Sequence, residues 1–145
     1  MRVDFYQLSR DPAEAVVPML AHKVLGTGQR LLVVSRDESQ LARVGDALWS
    51  HSPDSFLAHG RAGEGHEDRQ PILLSHAPQP DNGARFLLLA DGMWREEAQR
   101  FERVFLLFGD AALEGARACW RMLGERDGDE RHFWKQEGGR WRETG

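Results

Sequence analysis

Cysteine is nearly absent: Cys119 is the only one in 145 residues. A single thiol excludes an intramolecular disulfide and a cysteine-only metal site. Long hydrophobic runs are missing too. The longest are a few residues, such as Phe86 to Ala90 and Val104 to Phe108, far short of the roughly 18 consecutive apolar residues of a membrane span. The N-terminal stretch MRVDFYQLSRD has no apolar core of a secretory signal, so the cytoplasm is the expected compartment. Positive charge is not in excess: 19 basic against 23 acidic residues leave a net charge of −4. Such a chain is a poor candidate for wrapping a phosphate backbone unaided. Lysine is scarce, with Lys23 and Lys135 beside 17 arginines.

Signatures of catalysis are missing as well. No glycine precedes Lys-Ser or Lys-Thr, which excludes a phosphate loop. The glycines of GTGQR (26–30) follow a helical pattern and precede a strand-like one, the reverse of the dinucleotide fingerprint. No serine sits in a G-x-S-x-G elbow. His51, His59, His66, His76 and His132 are scattered, without the i,i+4 spacing of a helical metal site. Cys119 falls in a helical segment, where a free cysteine is by default a small core residue. No metal and no cofactor is expected.

What is present is ordinary globular composition, 41% hydrophobic and 29% charged, in a length that suits one domain over 1–145. Residues 3–8 read as a strand. Asp11 as N-cap, with Pro12 first and Glu14 third, opens a helix whose apolar positions are Val16, Val17, Leu20 and Val24. It should end near Gly26 or Gly28. RLLVV (30–34) reads as a buried strand. Ser35 or Asp37 caps a second helix through Trp49, with Leu41, Val44 and Leu48 on its buried face. This βαβα order implies parallel strands and a layered α/β fold. Further strands are expected at SFLAHG (55–60), PILLS (71–75), RFLLLA (85–90) and 100–109, with Asn82-Gly83 as a turn and Phe101, Arg103, Phe105 and Leu107 on one side of the last. A helix follows from Asp110 to about Leu123, then a polar, mobile segment (124–130) and a final strand or hairpin. Residues 114–145 balance at seven basic and seven acidic, so the first 113 carry the whole −4. If the chain has an anion-binding surface, the C-terminal quarter is where it is expected.

Several segments, in order and over nearly the whole chain, resemble the chi subunit of bacterial DNA polymerase III. They are VDFYQL, residues 28–60, QPILL (70–74), FERVF (101–105) and ARACWR (116–121), densest at Asp46, Leu48, Trp49, Ser55, Phe56 and His59. The resemblance implies a single-domain three-layer sandwich with a mostly parallel, nucleotide-binding-like sheet that lacks a phosphate loop. It implies a non-catalytic adaptor with two partners. One is the psi subunit, which tethers chi to the clamp loader. The other is the acidic C-terminal tail of the single-stranded DNA-binding protein, which ends in an aliphatic–aromatic pair and a free carboxylate. A DNA-repair helicase is an alternative partner at the psi surface. A small α/β nucleotide-binding enzyme is the rival reading.

The resemblance places tail binding at Arg117, with Arg121 as basic neighbour, Trp120 as aromatic wall and Phe108 as apolar contact. Arginine suits a carboxylate because its fork binds it bidentately. Leu113, Ala116, Trp120 and Leu123 also form an apolar stripe, so pocket wall and plain core both stay open for Trp120. Where some relatives carry a lysine, this chain has Leu113 or Glu114; Arg126, Arg131 and Lys135 are the candidate substitutes. Psi or helicase binding is placed at Trp49, Phe56 and Leu57, with core burial as the competing reading.

Overall fold

The computed structural model describes residues 1–51 and 57–144. The chain alternates strands and helices: β1 (Arg2–Gln7), α1 (Ala13–Gly26), β2 (Leu31–Val34), α2 (Glu38–Trp49), β3 (Gly60–Arg61), β4 (Ile72–Ser75), β5 (Phe86–Leu89), β6 (Arg103–Phe108), α3 (Leu113–Gly124), β7 (Glu130–Glu137) and β8 (Arg140–Glu143). The strands form one sheet in the order β3-β4-β2-β5-β6-β1-β7-β8. Every pairing is parallel except the closing hairpin of β7 with β8. It is the layered α/β architecture expected from the sequence.

Two apolar layers sandwich the sheet. On one face α1 and α2 bury Val17, Leu20, Val24, Leu41, Val44 and Leu48 against Tyr6, Leu31, Val33, Leu74 and Phe105. On the other, α3 buries Ala116, Cys119 and Leu123 against Val3, Phe5, Leu32, Leu87, Val104 and Phe108. The central strands are buried on both sides, which is why they read as continuous apolar runs rather than alternating ones. Each fully buried Leu or Phe contributes about 1.5–3 kcal/mol of transfer free energy.

Local signals held where the partner groups are also local. Asp37 caps α2 by accepting from the amides of Ser39 and Gln40. Asp11 does not cap α1: Pro12 holds the N-cap position without a side-chain bond. Asp11 accepts instead from Gln136 Nε2 at 2.7 Å, because β7 runs past the start of α1. The strands flanking α1 are parallel but not neighbours, since β5 and β6 lie between them. Asn82-Gly83 does not make a hairpin. The segment crosses β2, and β4 and β5 pair with opposite edges of that strand. Asn82 is buried there, donating to the carbonyls of Leu31 and Gln70 and accepting from the amide of Ala84. Gly83 supplies the positive φ of 73°.

Three further expectations are corrected. Of the strand expected at 55–60, residues 57–59 are not strand and β3 opens at Gly60, while residues 55 and 56 lie outside the described residues. β6 starts at Arg103, so Phe101 precedes the alternation and packs on the α3 face, opposite Phe105 and Leu107. The 124–130 segment does not hang free: Asp129 pairs with the N-terminal ammonium at 3.4 Å and with Arg126 at 3.3 Å.

Candidate protein-interaction sites

The helix α3 follows a short 3₁₀ turn at Asp110–Ala112. Gly92, at φ 73°, lets the loop after β5 close against this turn; a Cβ there would lie 3.0 Å from both Ala112 Cβ and Leu107 O. From that start, α3 turns Ala116, Cys119 and Leu123 to the core and leaves Arg117 and Arg121 exposed. Between α3 and β7 opens a cavity of about 380 Å³. Phe108, Leu113, Ala116, Trp120 and Phe133 form its apolar wall, and Arg117, Arg121 and Lys135 supply its charge. Among the described residues no acidic side chain lines it. The four residues expected to act together at 108, 117, 120 and 121 are therefore brought together.

Trp120 joins the two readings left open for it. It is half-buried, with its ring edge-on to Phe5 at 5.2 Å and to Phe133 at 5.7 Å. It also lines the cavity. Arg131 lies over the indole at 4.3 Å and donates to the Trp120 carbonyl at 2.9 Å, a cation–π contact that fixes the ring. Arg126 is taken up by Asp129. Of the three candidate substitutes for the absent lysine, Lys135 is the one in the cavity. The sequence held no local signal for this. Lys135 arrives through the parallel register that sets it opposite Gln7, and Gln7 lines the same cavity.

The second expected surface divides. Trp49 ends α2 with 61% of its surface exposed, its ring 5.5 Å from that of His59. Leu57 is 4% exposed and packs in the core beneath α1 and α2, so it is not a surface residue beside Trp49. Phe56 lies outside the described residues.

The place where a nucleotide would sit in such a fold is the crevice at the carboxyl ends of β1 and β6, where the chain departs to opposite faces of the sheet. A wide opening of about 800 Å³ exists there, but its charged residues are mixed: Arg10, Asp11, Glu14, Arg43, Asp91 and Asp110. The loop from Leu8 to Pro12 has no glycine to cradle a phosphate. Asp91 is engaged by both terminal nitrogens of Arg95 at 2.8 Å and by the amide of Arg36. Burial opposes its charge, but these bonds prevail and hold its carboxyl below the usual range. Cys119 is buried, and burial pushes its thiol up to about 12, the opposite of an activated nucleophile. Among the described residues no cluster of three metal-ligating side chains occurs, and no helix is long and apolar enough to cross a membrane.

The comparisons with known proteins agree on one family. The profile described as DNA polymerase III chi subunit, HolC, matches residues 1–129. The DNA polymerase III subunit chi of Escherichia coli K12 is 29% identical over 93 residues, covering 59% of this chain and 63% of that protein. Its counterpart from Haemophilus influenzae is 26% identical over 88 residues, covering 59% and 61%. The aligned stretch thus spans less than two thirds of either relative.

Proposed function

The chain belongs to the DNA polymerase III chi subunit family, and from that premise we propose that it is a non-catalytic adaptor of the replicase at the cytoplasmic replication fork. It binds the acidic C-terminal tail of single-stranded DNA-binding protein through the α3 cavity and the psi subunit through the Trp49 surface. In this way it links the clamp loader to coated lagging-strand template.

The observation that carries the reading is the coincidence, in one cavity, of an aromatic wall with three cations and, among the described residues, no acidic side chain. A peptide ending in an apolar ring, a free carboxylate and preceding acids needs all of these. The ring packs against the wall formed by Trp120 and Phe133, the terminus meets the Arg117 fork, and Arg121 and Lys135 face the upstream acids. The test is calorimetric titration with a synthetic tail peptide and with one lacking its last two residues. Micromolar binding that requires those two residues is expected. Equal binding of both peptides would mean that charge alone drives the contact and would overturn the assignment.

The psi surface is also where a repair helicase would dock, so the two partners exclude each other in this account. Competition between them for the purified protein tests this.

A further inference from the structure

A third cavity lies on the opposite face of the sheet, between α1 and the closing hairpin. It encloses about 280 Å³. Its inner wall is aromatic. Tyr6 is stacked on Trp134 at 5.7 Å and met edge-on by Trp141 at 5.1 Å, with Phe105 beyond. The charged residues lining it are Arg2, Lys23 and Arg103, all cationic. Beneath them Asp4 is fully buried. It accepts from Arg2 Nε and Nη2 at 3.2 and 3.1 Å, from Arg103 Nε at 2.8 Å and from Trp134 Nε1 at 3.0 Å. One carboxylate thus serves two guanidiniums, which leaves a positive charge at the mouth before Lys23 is counted. Glu130 and Glu143 lie beside Arg2 and share the single His132, which offsets at most one of them, so Lys23 supplies the excess positive charge; neither glutamate lines the cavity.

The size restricts the occupant. Sites for free small molecules run from about 300 to 1,000 Å³, and this cavity falls just below. It has room for a single apolar side chain. We propose that it is a second docking site, for an internal acidic peptide segment of a protein partner with a single apolar or aromatic anchor. The anchor enters the cavity that Met19 and Trp141 help to line, and flanking carboxylates meet Arg103 and Lys23. Trp134 and Trp141 lie beyond the stretch matched by the family profile, residues 1–129, so the site is built in part from this chain's own C-terminal hairpin. It is independent of the α3 cavity: no residue lines both.

The probe is a fluorescein-labelled pentapeptide, DDFDD, with an amidated C-terminus, compared with DDADD. Its blocked terminus keeps it from mimicking a free-carboxylate tail. Anisotropy should show the phenylalanine peptide binding about tenfold or more tighter, as burial of one aromatic side chain predicts. Lys23→Glu, at an exposed residue, should weaken it about threefold to fivefold, and Arg117→Ala should leave it unchanged. Four results would overturn the proposal: no binding, equal binding of both peptides, loss with Arg117→Ala but not Lys23→Glu, or displacement of the peptide by oligothymidine at lower concentration than by unlabelled DDFDD.

Discussion

Asp4→Asn tests how the edge of the sheet is held. The carboxylate has no contact with water, and three side chains converge on it from β1, β6 and β7. Asparagine keeps one acceptor oxygen and turns an amide donor toward a guanidinium, so at least one bond is lost and one repulsive contact is made. Removing one member of a buried ion pair costs about 3–5 kcal/mol. The Arg2 and Arg103 side chains retain 36% and 29% exposure, so water compensates in part, and we expect about 2–3 kcal/mol on discounting that range. For a chain of this size that is about 6–9 °C in Tm. Urea unfolding should show a lower midpoint with an unchanged slope. In an Arg103→Met background the same substitution should cost less, because one of the stranded charges is gone. A single variant within about 0.5 kcal/mol of the parent, the range of ordinary surface changes, would refute the reasoning. The acid limb is a second check. Burial opposes the Asp4 charge, but the bonds from Arg2, Arg103 and Trp134 outweigh it and hold the folded carboxyl below its ordinary 3.8. Its stabilising contribution is therefore complete above that value and lost as pH falls through the lowered one. Asp4→Asn should lack this component of acid unfolding.

Other expectations follow from the same geometry. His132 is held above its usual 6.5 by bonds to Glu130 and Glu143. Its contribution is full below 6.5 and fades as pH rises through the raised value, so hydrogen-exchange protection factors in the β7–β8 hairpin, with the intrinsic pH dependence divided out, should fall over that range in the parent but not in His132→Gln. Trp49→Ala combined with Phe56→Ala should abolish co-purification with psi while circular dichroism stays native; loss of the fold would support the core reading of these residues. Cys119 should resist alkylation until the protein unfolds, because it is buried and its thiol is pushed up to about 12.

The α/β class was legible because LLVV (31–34) and LLL (87–89) are buried on both faces, and Asp37 announces α2 through amides two and three residues away. Asp11 looked like the same signal. Its partner Gln136 lies 125 residues on, beyond any local pattern. The insertion of β5 and β6 between β1 and β2 is non-local in the same sense. In the α3 cavity, spacings of three and four put Arg117, Trp120 and Arg121 on neighbouring parts of one helix face, but it was the family resemblance that singled them out as a site. Lys135 was not legible, because only the β1–β7 register brings it there. Trp49 and Leu57 are both large apolar residues and look alike in sequence, yet one is exposed and the other buried. Hydrophobicity alone does not separate them.

The central claim, that the α3 cavity reads an acidic tail through Arg117, is tested most directly by one titration of the parent and Arg117→Ala with the same tail peptide. A loss of about 1–3 kcal/mol, or about 5- to 150-fold in Kd, is expected for a contact to a charged group. Arg117 is exposed on α3, so the variant should fold as the parent does. Unchanged affinity in a folded variant would contradict the account.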